Sequence, residues 1–245
     1  MPRFYVDLPL ASGTTLALPA GPARHVQVRR LQPGDALTLF NGQGGQWAAT
    51  ITRMGRSEVH VAVGAHVAIE REAARPVHLA CGLMAAERMD WLVEKATELG
   101  AASVQPVLAE RSSLRLSGER AAKKGAHWQA VAAAACEQSG RNRLPVIHAV
   151  QPLAACLAAQ PAPHPAPEGR LLLSLGAGTA PLSQAMQALP ADAPVILLSG
   201  PEGGLSPDEE SAARAAGYQP VSLGARVLRA ETAPLAALAV LLMAG

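Results

Sequence analysis

Aromatic side chains make up only 3% of the 245 residues, so any core has to be built mainly from aliphatic groups. Cysteine is scarce as well. Cys81, Cys136 and Cys156 are odd in number and lack CxxC spacing, which argues against a disulfide framework or a zinc site. They read as buried thiols in a reducing compartment. No apolar run reaches the roughly 18 residues needed to span a bilayer. Met1–Leu10 sets Arg3 and Asp7 in a strand-like pattern, with no signal-peptide core. The expectation is a cytoplasmic protein with no membrane partner. Charged residues are 16% of the chain and the net charge is +2, too small to argue for nucleic acid by itself.

Hydrophobic residues reach 49%, enough for a substantial core and against global disorder. Much of that content is alanine, which favours helix but buries little area per residue. The positive charge is unevenly spread. Arg111, Arg115, Arg120, Lys123, Lys124, Arg141 and Arg143 oppose only Glu119 and Glu137 in one stretch. Near the start, Arg3, Arg24, Arg29, Arg30, Arg53 and Arg56 oppose Asp7, Asp35 and Glu58. The two zones would make one phosphate-binding surface if the fold joins them. Each alone reads equally well as a solvated face.

Residues 1 to about 70 punctuate like a small β domain. Strands are expected at 3–6, 36–40, 46–53 and 58–63, with a brief helix near His25–Leu31 and turns at Gln32-Pro33-Gly34-Asp35 and Asn41–Gly45. Short strands between glycine-rich turns suggest a small barrel. Residues 65–75 read as a linker. After Pro76 strands and helices alternate, with strands at 77–84, 103–108, 146–150, 171–175 and 195–199. Helices fit 86–99, 118–139 and 152–159, and His164 falls in a Pro/Ala-rich surface loop. Met89, Leu92, Val93, Ala96 and Leu99 share one helix face, and Gly100 is its stop. Continuous apolar strands such as Val195–Ser199 indicate a parallel sheet covered on both faces, and hence an α/β domain.

Two segments carry the chemistry. In the first, Val195–Ser199 runs into Gly200-Pro201-Glu202-Gly203-Gly204-Leu205 and then a helix, with Ser206 as N-cap, Pro207 at the first position and Glu209 completing a capping box. This sets a loop with little side-chain cover at the carboxyl end of a parallel strand, where α/β folds bind ligands. Its glycines let backbone approach a flat ring such as adenine. In the second, Val221-Ser222-Leu223-Gly224-Ala225-Arg226-Val227-Leu228-Arg229-Ala230-Glu231 leads into a helix from about Thr232. Leu235–Met243 is apolar on every face, which points to burial all round and to a partner subunit.

As a pair, GPEGG and LGxRVLRxETA resemble the C-terminal signature of the SPOUT (trefoil-knot) RNA methyltransferases, and within them the RsmE family. The similarity spans nearly the whole chain, in family order: Pro2–Val6, His25 with Arg29-Arg30, Trp91–Gly100, Glu110-Arg111-Ser112 and Glu137–Arg141. Departures are Glu94 in place of an expected glutamine, His127 in place of arginine and Cys136 in place of alanine. The His127 departure removes one possible RNA contact.

The resemblance implies an α/β knotted methyltransferase domain over 74–245 and a PUA-like RNA-holding barrel over 1–70. It implies S-adenosylmethionine as methyl donor and a homodimer. The substrate would be 16S rRNA in the small ribosomal subunit, methylated at N3 of the uridine conventionally numbered 1498 to give 3-methyluridine. Leu198, Gly200, Pro201, Glu202, Gly203, Leu223, Gly224, Val227, Leu228, Thr232 and Ala233 would form the donor site. Uracil N3 carries a proton, so a base or an anion-stabilising group is needed. Arg229 is the candidate for the anion, and Glu231 or Glu202 for the base, unless those carboxylates pin an arginine instead. Arg3, Arg24, Arg29, Arg30, Lys95, Arg111, Arg141 and Arg143 are the candidate RNA contacts. His25 and His60 lack ligand-like neighbours, so no metal is expected. Two rivals are a Rossmann-type enzyme built on Gly176-Ala177-Gly178, weakened by Ala180-Pro181 where a third glycine belongs, and an RNA-binding factor that has lost catalysis.

Overall fold

The computed structural model describes residues 1–159 and 168–243, and His164 lies outside the described residues. The chain forms two compact units, the first from Met1–Glu72 with Ala133–Leu144 and the second from Ala73–Ala132 with Pro145–Gly245.

The first unit holds β1 (Arg3–Tyr5), β2 (Thr15–Ala17), α1 (Ala20–Val28), β3 (Ala36–Phe40), β4 (Gln46–Met54) and β5 (Val59–Val67). Its five-stranded sheet runs β1-β3-β4-β5-β2, with β1 parallel to β3 and the other pairs antiparallel. Alternation places Val59, Val61 and Val63 of β5 in one core with Phe4, Leu37, Leu39 and Ile51. The helix expected near His25–Leu31 starts earlier, at Ala20. Pro22 falls in its first turn, where a missing N–H costs nothing.

The second unit continues with β6 (Val77–Gly82), α2 (Ala86–Leu99), β7 (Ser103–Leu108), α3 (Gly118–Ser139), β8 (Val146–Ile147), β9 (Gln151–Pro152) and α4 (Leu153–Ala158). From Ala133 onward α3 counts with the first unit. Then come β10 (Gly169–Leu173), β11 (Ala180–Pro181), α5 (Leu182–Gln187), β12 (Val195–Ser199), α6 (Pro207–Ala215), β13 (Gln219–Ser222) and α7 (Thr232–Met243). The sheet order is β11-β13-β10-β12-β6-β7-β8, all pairs parallel, with β9 joined to β7. The α/β class read from the sequence therefore holds. Expected strands at 146–150 and 171–175 are shorter or shifted. Of residues 146–150 the strand β8 takes in Val146–Ile147, with β9 following on the same β7 edge, and the strand expected at 171–175 runs from Gly169 to Leu173, where the chain turns out of the sheet.

Both faces of this sheet are covered. Val195 and Leu197 join one apolar cluster with Met89, Leu92 and Val93 of α2, Trp128 of α3, Leu182 of α5 and Leu238 of α7. Leu198 and Leu172 point the other way, into a cluster with Leu153 of α4 and Ala213 of α6. Fully burying each such leucine or valine contributes about 1.5–3 kcal/mol, which explains why near-continuous apolar strands settle here. Gly100 ends α2 in the left-handed region at φ 104°, as its position after the last apolar residue predicts. Within α7, Leu235, Leu238 and Leu241 are buried, whereas Val240 and Met243 are exposed.

A cleft at the strand ends of the second unit

Strands β13, β10 and β12 are neighbours, so their carboxyl ends open side by side although they lie far apart in sequence. The segments leaving them, Leu173–Gly176, Ser199–Leu205 and Val221–Leu228, line a cleft of about 340 Å³, closed further by Ala230, Ala233, Arg111 and Glu210. This is the place where a parallel α/β sheet receives ligands, and the size suits a small organic molecule.

The Ser199–Leu205 loop is shaped by close backbone approach. A Cβ on Gly200 would lie 2.8 Å from Leu205 N and 2.9 Å from Gly204 C, both backbone atoms with no freedom to yield. A Cβ on Gly82, at the end of β6, would run into the Pro201 ring and its backbone nitrogen. The sequence alone did not reveal Gly82 as part of this construction, since its reason is a neighbouring strand. Downstream, Ser206 Oγ accepts from Glu209 N while Glu209 returns a bond to the Ser206 amide, so the expected capping box is formed.

Glu202 is tied down on both oxygens. Oε1 accepts from the Ala85 amide at 2.9 Å and from Arg88 Nη1 at 3.2 Å, and Oε2 accepts from Ser113 Oγ at 3.0 Å. Ala85 is the N-cap of α2 and has no side-chain cap of its own. A carboxylate from another loop therefore serves an open helix N-terminus and its positive dipole end. Burial alone would raise the Glu202 pKa, but the hydrogen bonds and the Arg88 charge outweigh it and hold the group below the ordinary carboxylate value. The same guanidinium has Nε 3.9 Å from Glu231 Oε1, while Glu231 Oε2 is buried without a hydrogen-bond partner. Arg88, absent from the sequence reading, thus links the two loops that frame the cleft.

Of the candidate donor residues, Gly200, Pro201, Glu202, Gly203, Leu223, Gly224, Val227, Leu228 and Ala233 line the cleft. Leu198 is 1% exposed in the core beneath it, and Thr232, Arg229 and Glu231 stand outside its lining. Arg229 is exposed. Cleft residues that sequence reasoning missed are Leu173, Ser174, Leu175, Gly176 and Glu210. The only sequence signal for them was the Gly176-Ala177-Gly178 run, read there as a rival nucleotide loop. No helix follows it directly; β11 does.

The candidate RNA arginines divide by their partners. Arg24, Arg29 and Arg30 are exposed on or just after α1. Arg3 is half-buried and donates to Gln46, the Arg141 carbonyl and Asn142. Arg141 requires a correction. It is 4% exposed and paired with Glu72, so its charge is used inside the first unit and is not open to phosphate. Arg143 is exposed and pairs with Glu70 at 3.1 Å. In the second unit Arg111 donates to the Gly203 carbonyl at 3.1 Å, which gives it a role in the cleft loop. Lys95 bonds Glu94 and Glu98, both at 2.8 Å, and these bonds raise its pKa. His127 Nε2 lies 2.8 Å from Asp90, which also accepts the buried Trp128 indole N–H.

Among the described residues, no cluster of His, Cys, Asp or Glu is arranged to hold a metal ion, and no helix is long and apolar enough to cross a membrane.

Comparison with known proteins matches this architecture. Residues 71–242 match the RNA methyltransferase domain family and residues 23–64 the RNA methyltransferase PUA domain. The ribosomal RNA small subunit methyltransferase E of Synechocystis is 35% identical, over 92% of this chain and 72% of that protein. A ribosomal RNA small subunit methyltransferase E from Neisseria gonorrhoeae, solved bound to S-adenosylmethionine, is 36% identical with a TM-score of 0.89, covering 98% of this chain and 96% of that one. A methyltransferase from Legionella pneumophila, also solved with S-adenosylmethionine, is 34% identical with a TM-score of 0.90, covering 99% and 97%.

Proposed function

Because the chain belongs to the ribosomal RNA small subunit methyltransferase E family, we propose that it methylates N3 of a uridine in 16S rRNA, the position conventionally numbered 1498, giving 3-methyluridine. The methyl donor is S-adenosylmethionine. The observation that carries the reading is the cleft itself, with glycine backbone on one side and aliphatic side chains around it. Gly200, where a Cβ would strike the Leu205 and Gly204 backbone, lets the loop fold back tightly on itself and offer the cleft a surface with little side-chain cover, which suits a flat adenine ring lying against backbone.

The donor supplies a methyl group activated by its sulfonium charge. What the chain contributes is alignment of that methyl with N3 and removal of the N3 proton. Gly200, Pro201, Gly203, Leu223, Gly224, Val227 and Leu228 would hold the donor, with Leu198 supporting them from below. Arg229 would meet the uracil carbonyl oxygens as negative charge develops there. Glu202 is occupied on both oxygens and acts as a positioning residue. Glu231 keeps one unpartnered oxygen, and we assign it the N3 proton.

Arg24, Arg29 and Arg30, exposed on the first unit, would contact phosphate. The functional division proposed is an RNA-holding domain over 1–70 and a methyl-transfer domain over 74–245. The exposed Val240 and Met243 of α7 fit a homodimer contact. Nucleoside mass spectrometry of 16S rRNA from cells lacking this chain tests the reading. Loss of 3-methyluridine, restored by purified protein and S-adenosylmethionine on small subunits from those cells, supports it. Unchanged 3-methyluridine with no methyl incorporated in vitro overturns it.

A further inference from the structure

The first unit has a cavity of its own, of about 440 Å³. Two helix faces wall it. His25, Val28 and Arg29 come from the end of α1, three and four positions apart, and Ala134 and Glu137 stand one turn apart on α3. Arg3 of β1 adds a fixed positive charge, since its guanidinium nitrogens are already held by Gln46, Asn142 and the Arg141 carbonyl. Val28 is 71% exposed at this cavity, an apolar side chain left largely in solvent.

The acid among these residues is Glu137. Its Oε1 accepts from the Tyr5 amide at 2.9 Å, whereas Oε2 stands 3.9 Å from His25 Nδ1, beyond hydrogen-bond reach. Burial pushes its pKa up, so the charged form is held here at a cost. The fold does not require that charge, because a neutral amide oxygen would serve the Tyr5 amide equally well. What a carboxylate adds is acceptor capacity on both oxygens and no competing donor. The cavity therefore suits a ligand edge made of N–H groups. A phosphate placed against Glu137 would be repelled, while Arg29, exposed at the rim, attracts one.

These demands fit one nucleotide. Guanine alone among the RNA bases carries two adjacent donors, its N1–H and its amino group, on one edge. Adenine and cytosine set a ring acceptor beside their single amino group, and uracil flanks its N–H with two carbonyls. Val28 gives a flat base an apolar surface to lie against, and the small side chain of Ala134 leaves room for it. We propose that this cavity receives an unpaired guanine of the RNA, with Glu137 accepting from its N1–H and amino group and Arg29 holding the adjoining phosphate. The inference rests on the reading of the first unit as the RNA-holding domain. It adds base recognition, which arginine contacts to phosphate do not supply.

Fluorescence anisotropy with the full-length protein and end-labelled UUGUU, UUAUU, UUCUU and UUUUU tests the idea. The unaltered chain should bind UUGUU roughly tenfold more tightly than UUUUU, with the other two between. Glu137→Gln keeps an acceptor for the Tyr5 amide, and Ala134→Leu fills the cavity from an exposed helix position; unfolding midpoints check that both are folded. Each should bring UUGUU to within twofold of UUUUU while affinity for UUUUU is kept. Arg29→Gln should weaken all four alike. Equal affinity of the unaltered chain for the four oligonucleotides overturns the guanine site and leaves the RNA-holding reading standing. A preference for UUGUU that survives in either cavity variant also overturns it. Failure to bind any of the four at low salt would overturn the RNA-holding reading and the guanine site together.

Discussion

Arg88 Nη1 donates to Glu202 Oε1 at 3.2 Å, across 114 positions of sequence. Glu202 sits in the cleft loop and Arg88 in the first turn of α2, so the bond fastens the loop to a rigid element. Glu231, 3.9 Å from the same guanidinium, brings the second loop to the same anchor. Preorganisation of this kind acts on ligand affinity more than on the fold, because the loops hold few core residues.

Arg88→Met should therefore weaken S-adenosylhomocysteine binding by three- to tenfold. The pair is partly exposed, so about 1 kcal/mol is the appropriate scale. In methylation assays KM for the donor should rise more than kcat falls. Arg88→Lys should recover only part of the loss, since a lysine ammonium cannot span two carboxylates as a guanidinium does. Equal donor affinity in all three proteins would remove Arg88 from the positioning role.

Gly200→Ala forces a methyl group against the Leu205 and Gly204 backbone, 2.8 and 2.9 Å away. The loop has to shift, at a cost of about 1–3 kcal/mol. Donor affinity should fall at least tenfold while the circular dichroism spectrum keeps its α/β shape. Retention of full affinity would mean the loop is not the cradle described.

Two carboxylates should give opposite pH signatures. Glu202 is held below its ordinary value of 4.5, so its stabilisation is complete above that pH and is lost as pH falls through the lower folded value. Glu137 is raised above 4.5, chiefly by burial, against the opposing Tyr5 amide bond and the nearby His25, Arg29 and Arg3. Its contribution is complete below 4.5 and is lost as pH rises through the folded value. Thermal unfolding between pH 3 and 8 should show Glu202→Gln losing most, relative to the unaltered chain, above pH 4.5. Glu137→Gln should gain relative to it as pH rises. The same sign for both would contradict these environments.

All three thiols should resist alkylation. Burial pushes Cys136 up to about 12 and Cys81 to about 11, and it raises Cys156 as well. At pH 8 the thiolate fraction of Cys81 and Cys136 is on the order of one in a thousand or less. Iodoacetamide should label those two slowly in the native protein, and all three quickly in guanidinium. Rapid native labelling of Cys81 would place the β6 end in contact with solvent.

What the sequence determined by itself is local. Apolar runs such as Val195–Ser199, the Ser206–Glu209 capping box and the Gly100 stop were legible because each depends on neighbours within a few residues. Their order already specified an α/β domain, and the two glycine-bearing segments marked most of the cleft. Only the tertiary structure decided what lies across from them. Strand order placed β10 between β13 and β12, and so brought Ser174 and Gly176 to the cleft beside Glu210. It turned Arg141 inward to Glu72, and gave Arg88 two carboxylates to hold. A charge in sequence shows only that a partner is needed. Which partner it finds depends on contacts between distant segments, and those are fixed by how the apolar faces of the sheet and helices pack.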